Sequence, residues 1–346
     1  MKQKMASYYE RMINFAPCMR DKTTLEAIRE RYAADTSRMN DCMMRQLASS
    51  NALMTQVITA NLRTKGKQIR PLIVMMCARM FGPVTDKVIS AATAIEMLHN
   101  ASLIHDDVVD ESMMRRNSPT INSVWDNHIA VLVGDYYTSG AMQQAISTGD
   151  IRIVDSLCRL GKKLSLGEID QIYNAREHSL SEEAYYKIIE YKTASLFVAS
   201  AEMGCYAAGV EDKHIIESLS EFARLFGLCF QIRDDIFDYY RSETVGKPTG
   251  NDLREGKITL PLLYALTVED APGHTDAAEL AARQELTADE IERLCSFARD
   301  NGGIDYAFAA MKNLRDRGAR LLEAVPDCPQ RHELLDLFDF IIARDH

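Results

Sequence analysis

The chain has 346 residues, 47% of them hydrophobic, and a formal net charge of −10, so it can bury a large core and offers a poor surface to nucleic acid. Eight cysteines show no CxxC pair and no zinc-like Cys/His spacing, which reads as reduced core thiols. The opening stretch MKQKMASYYERMINF carries charges throughout, and no segment approaches roughly 18 uninterrupted apolar residues; neither a secretory leader nor a membrane span is expected, and the expected location is cytoplasmic.

Helical periodicity dominates, in long Ala/Leu/Met/Glu-rich windows with few alternating runs. Gly and Pro punctuate it at Gly66 and Pro71, Gly82-Pro83, Ser118-Pro119, Gly149, Gly246 to Gly250, Gly256, Gly302-Gly303 and Pro326. That spacing predicts on the order of ten to thirteen helices joined by short loops. The loop-like shift from Val268 to Thr275 is too short to tether a second unit. Residues 1–346 are therefore expected to form a single all-α domain, with the helices of about the first 60 residues supporting the bundle.

The first element that carries chemistry is GKQIRP at 66–71, where Lys67 and Arg70 flank a loop entering a helix. A mobile point charge and a planar fork beside a helix start read as a phosphate cradle. The apolar run Ile95 to Ile104 then ends in Asp106-Asp107-Val108-Val109-Asp110, followed by Arg115-Arg116. Within that run His99 alone would pass for a satisfied core residue. Asp135 after Gly134 reads as a cap for the next helix, and Glu168 and Gln171 stay undecided.

Lys192-Thr193 follows in IIEYKTASLF, where Lys192 is either a snorkelling surface lysine or a placed cation. A second apolar run, Phe222 to Ile232, ends in Asp234-Asp235-Ile236-Phe237-Asp238. Lys247 and Lys257 then flank Asp252 in a Gly-rich stretch suited to a lid over phosphates.

The repeated DDxxD is the sharpest signal. Residues i and i+4 of a helix share a face, and i+1 turns away by only about 100°, so each copy presents three neighbouring carboxylates. Clustered acids destabilise a helix unless a cation neutralises them, and carboxylate oxygens are what Mg²⁺ prefers, shared with substrate phosphates. Because both copies end apolar runs, they are expected at the ends of buried helices that face one another across a cleft.

Seven ordered segments make the chain resemble a trans-type isoprenyl (polyprenyl) diphosphate synthase of the long-chain kind over nearly its whole length. They are GKQIRP (66–71), AIEMLHNASLIHDDVVDESMMRR (94–116), VLVGDYY (131–137), GEIDQ (167–171), YKTASLF (191–197), GLCFQIRDDIFDY (227–239) and GKPTGNDLREGKITLP (246–261). The resemblance implies a helical bundle around a deep cavity, usually a homodimer, that condenses isopentenyl diphosphate head-to-tail with an allylic diphosphate. It places Lys67, Arg70, His99 and Arg116 at the isopentenyl diphosphate. Asp106, Asp110 and Asp234 become the principal Mg²⁺ ligands, with Asp107, Asp235 and Asp238 beside them, about three ions per site when substrate is bound. Arg115, Lys192, Gln231, Lys247 and Lys257 fall to the allylic diphosphate and Thr193 to the developing carbocation. One departure is Lys65-Gly66-Lys67-Gln68, where such synthases often read GGKR.

On this reading the C–O bond of the allylic substrate ionises, cations stabilise the leaving diphosphate, and no enzyme nucleophile is required. Apolar residues such as Leu103, Phe197 and Phe230 are expected to keep water out. Product length should be set one turn before the first cluster, where Ala101 and Ser102 carry no ring; Ala94, Met97 and Leu98 continue an unblocked path of roughly 11 Å. A long product follows, fit for a quinone side chain, with at most transient membrane contact for its release. A short-chain farnesyl or geranylgeranyl synthase, a class I terpene cyclase and a heteromeric synthase subunit are the alternatives.

Overall fold

The structure is a computed structural model that describes residues 23–62, 66–177, 180–240 and 250–344. Helices α1 (Thr23–Arg31), α2 (Ala33–Gln46), α3 (Ala52–Leu62), α4 (Ile69–Arg79) and α5 (Asp86–Val109) lead into a small hairpin of β1 (Met114–Arg115) and β2 (Ser118–Pro119). Next come α6 (Ile121–Val124), α7 (Asn127–Ser147), α8 (Ile151–Glu177) and α9 (Glu182–Ile189), then a π-helical turn, Glu190–Ala194, that runs into α10 (Ser195–Ala207). The rest is α11 (Lys213–Asp238), α12 (Asn251–Arg254), α13 (Leu260–Ala265), α14 (His274–Ala281), α15 (Ala288–Asp300), α16 (Gly303–Leu321) and α17 (Pro329–Ala343). The all-α expectation holds.

Local chemistry sets the ends of the two helices that matter most. Asp212 caps α11 by accepting from the His214 amide at 2.9 Å. At the far end of α5, Asp110 leaves helical geometry and Glu111 enters the left-handed region at φ 49°. Between its ends α5 is buried along nearly its whole length, with only Thr93, Glu96, His99 and Asp107 as fully buried polar residues. A helix apolar on all sides belongs at the centre of a large core.

α10 crosses that centre and packs against α4, α5, α8 and α11. It thereby holds α5 and α11 on two sides of one space, and both acidic clusters lie at the helix ends that border it. One sequence reading is corrected. Asp135 sits inside α7, which starts eight residues earlier, so it caps nothing; its carboxylate lies 3.5 Å from His105 instead. Arg115 and Arg116 lie beyond α5 in the hairpin, which pairs Arg115 with Ser118, while Arg116 and Asn117 turn the chain at φ 51° and 60°.

Candidate active site

Burial disfavours negative charge on the first cluster. Asp106 is part-buried, and its carboxyl is pushed up to about 6 by desolvation, opposed by Lys192 and reinforced by Glu168 and Asp110. Asp107 is buried and raised in the same direction by desolvation, while the Arg115 Nε–H that donates to it at 2.7 Å pulls it back. Asp110 faces the Lys257 ammonium at 4.0 Å.

Two side chains of the π-helical turn reach toward the site, Lys192 to α8 and Thr193 to α11. Gly227 of α11 makes room for the turn, since a Cβ there would lie 2.5 Å from Ala194 Cα, and Gly167 of α8 lies as close to Tyr191 and Lys192 on the other side. An extra residue wedged between two such contacts widens the helix, a feature common at functional sites. Lys192 pairs with Glu168 and donates to Gln171 Oε1 at 3.1 Å, and its charge reaches Asp106. The Thr193 hydroxyl donates to Gln231 Oε1 at 2.7 Å, and Gln231 in turn donates to Asp235 at 2.7 Å.

Around the second cluster Asp235 also accepts from the Tyr185 hydroxyl at 2.6 Å, which lowers a carboxyl that burial raises strongly. Asp238 accepts from the Asn251 and Asp252 amides at 3.0 Å each. Those amides belong to the segment that carries Lys257, whose own N–H donates to the Asp252 carbonyl at 2.7 Å. Asp252 is driven well up by burial and by Asp235 and Asp238, with Lys257 opposing. The Lys257 charge therefore acts on Asp110 of the first cluster and on Asp252 beside the second. A cavity of about 210 Å³ opens here, lined among others by Lys192, Thr193, Gln231, Asp235, Asp252 and Lys257.

The cradle residues converge beside α5. A Cβ on Gly66 would sit 2.6 Å from the Arg116 guanidinium, so this glycine lets the Lys67 loop lie directly on Arg116. Arg70 stacks over the Phe197 ring at 4.9 Å, and burial lowers it to about 10, with Glu96 and Asp234 as opposing charges. His99 is buried and held neutral by desolvation and by Arg70, Arg116 and Arg115. Phe197 meets Phe226 edge-on at 5.0 Å and Phe230 at 5.5 Å, an aromatic wall below the cations. Lys247 lies outside the described residues.

Among the described residues no three Asp, Glu, His or Cys side chains stand close enough together to hold a metal as they are. The acids instead engage protein partners, Asp107 with Arg115, Asp235 with Tyr185 and Gln231, and Asp234 with Arg344. The donor set still suits a hard divalent cation: it is all carboxylate, and buried like charges raise one another.

Arg344 had no sequence signal beyond a basic residue after an apolar helix. It is buried, ion-paired to Asp234 and stacked on Phe230 at 4.4 Å, and its carbonyl accepts from Arg233 Nε at 3.1 Å. Arg344→Ala is expected to lower the metal-free melting temperature by roughly 1–2 °C, about 1 kcal/mol for a chain of this length. Mg²⁺ should narrow the gap, because the cation offsets the Asp234 carboxylate left unpaired; thermal unfolding in EDTA and in Mg²⁺ checks it.

The sequence model of the polyprenyl synthetase family matches residues 51–297. Octaprenyl diphosphate synthase of Escherichia coli is 34% identical over 325 residues, 93% of this chain and 99% of that one. A decaprenyl diphosphate synthase structure from Rhodobacter capsulatus superposes with a TM-score of 0.86 at 30% identity, covering 93% and 99% of the two chains. A geranylgeranyl pyrophosphate synthase structure from Bacteroides thetaiotaomicron reaches 0.79 at 36% identity over 93% and 99%. Two helices that each end in DDxxD, set around one cationic cleft, together with these matches, make this chain a member of the polyprenyl synthetase family and a prenyltransferase.

Proposed function

We propose that the protein condenses isopentenyl diphosphate head-to-tail with an allylic diphosphate, farnesyl or geranyl, to a long all-trans polyprenyl diphosphate suited to quinone side chains. The observation that carries this reading is Lys257, whose charge acts on Asp110 of the first cluster and on Asp252 beside the second. A cation shared by two acid sets marks where a polyanion and its metals can sit between them. The octaprenyl and decaprenyl names of similar proteins support a long product.

In this proposal Lys67, Arg70, His99 and Arg116 hold the isopentenyl diphosphate, while Arg115, Lys192, Gln231 and Lys257 hold the allylic one. Asp106, Asp110 and Asp234 would hold Mg²⁺, with Asp107, Asp235 and Asp238 supporting; the metal supplies positive charge to the departing diphosphate. Thr193, fixed by its bond to Gln231, borders the allylic carbon. Phe197 and Phe230 exclude water while the cation exists. Neutral His99 can donate from one ring nitrogen without adding a buried charge.

Each cation meets one diphosphate, so binding losses should separate by substrate. Arg116→Ala and Lys67→Ala are expected to raise KM for isopentenyl diphosphate about tenfold, and Lys257→Ala that of the allylic partner, as for loss of a charge-assisted bond. Steady-state kinetics with each substrate varied checks it. Equal movement of both constants in all three variants would contradict the two-site division.

A homodimer fits the same reading. α7 exposes Leu132, Met142 and Ile146, and α8 exposes Leu166, Ile169 and Tyr173, apolar side chains that a second copy of the chain could cover. No helix among the described residues is long and apolar enough to cross a membrane; transient membrane contact for product release belongs to this proposal, as does a cytoplasmic location.

A further inference from the structure

Three buried polar atoms near the cradle have no hydrogen-bond partner: Arg70 Nε, Glu96 Oε2 and His99 Nδ1. Glu96 and His99 stand three residues apart on α5, so they leave the helix on one face, and they are 6% and 8% exposed. A bound diphosphate could accept from Arg70 and from a His99 N–H. It could do nothing for an ionised Glu96. An acid has been placed where an anion is to bind.

Glu96 is no metal ligand by position, because ten residues of helix put it roughly 15 Å below Asp106. Its charged neighbours are Arg70 and Arg116, which oppose the upward push of burial. For Arg70, Glu96 is the leading compensating charge, ahead of Asp234. Also facing this space are His99 on α5, on which Arg115 acts as well, the Phe197 ring of α10 over Arg70, and the Lys67 loop, whose Gly66 lies against Arg116.

We propose that Glu96 is the resident counter-charge of the isopentenyl diphosphate cradle: it balances Arg70 and Arg116 before substrate arrives and limits affinity by competing with the diphosphate for them. The proposal rests on reading Lys67, Arg70 and Arg116 as that cradle. A buried guanidinium without a counter-charge is costly. Once a diphosphate brings its own negative charge, Glu96 becomes an adverse like-charged neighbour. One side chain thus stabilises the empty protein and weakens the complex, which keeps the site from being locked by the diphosphate it handles.

Opposite signs make the test sharp. Inorganic diphosphate with Mg²⁺ is titrated calorimetrically into wild type, Glu96→Gln and Arg70→Ala, and each is melted without ligand. Glu96→Gln keeps the shape and is expected to melt lower yet bind about fivefold tighter or more, while Arg70→Ala binds at least about fivefold weaker. If Arg70→Ala weakens binding but Glu96→Gln binds equally or more weakly, the counter-charge role is overturned and the cradle stands. If Arg70→Ala leaves binding unchanged, the cradle assignment itself fails. Should Glu96→Gln not fold, Glu96→Gln/Arg70→Ala removes the stranded charge and is expected to fold; failure of the double variant as well would overturn the proposal.

Discussion

Asp106→Ala or Asp234→Ala is expected to cut turnover by on the order of a hundredfold or more at saturating Mg²⁺, the scale seen when a principal charge-stabilising group is removed. The fold should survive. Asp106 pays a desolvation penalty that Lys192 only partly offsets against Glu168 and Asp110, so its loss relieves repulsion in the metal-free protein. Its carboxyl, raised to about 6, also fixes a pH dependence. The folded state binds this proton more tightly than the unfolded chain, so the associated stability is full at low pH and lost as pH rises through about 6. Metal competes with that proton, so Mg²⁺ affinity should fall as pH drops below about 6. Asp106→Asn should flatten both trends, read by unfolding in EDTA and by Mn²⁺ titration. Near wild-type turnover in Asp106→Ala or Asp234→Ala would remove the metal assignment.

Ala101→Phe is expected to shorten the product from roughly six or more isoprene units to about three or four while condensation continues. Ala101 is 1% exposed, so a ring has no free space and must displace neighbours or enter the chain path. Nearby, Met97 packs its methyl where a Cβ on Gly140 of α7 would lie at 2.3 Å, so α5 and α7 are already tight there. Ser102 is half-buried, one turn before Asp106 on the same helix face, with its hydroxyl donated to the His99 carbonyl at 2.9 Å. Ser102→Phe therefore puts a ring directly below the cluster and should shorten the product too. Reversed-phase chromatography of the dephosphorylated products reads both variants. An unchanged distribution in both would mean that the chain does not run along α5.

Local patterns carried most of the fold and much of the site into the sequence. Apolar runs announced α5 and α11, and each DDxxD closes one of them because an apolar run turning acidic must leave the core. The residues that sequence reasoning missed act across the fold. Arg344 meets Asp234 from 110 positions away, and Tyr185 reaches Asp235 across 50. Nothing near either residue in sequence signals that pairing. Glu96 was hidden differently: one acid in an apolar run gives no periodic signal, and only its burial beside Arg70 gives it meaning. Asp135 misled because a Gly-Asp step commonly starts a helix, whereas Gly134 here admits the His105 ring against the middle of α7.

Similar proteins carry names that span geranylgeranyl to decaprenyl products, so chain length is where the proposed function is most exposed. The decisive measurement is the length of the product made by the purified chain alone from farnesyl and isopentenyl diphosphates with Mg²⁺. An all-trans product of roughly six or more isoprene units is expected, matching an α5 path without aromatic side chains for about 11 Å before the first cluster. A farnesyl or geranylgeranyl end product, a cyclised hydrocarbon formed without isopentenyl diphosphate, or no product until a second polypeptide is added would each contradict it.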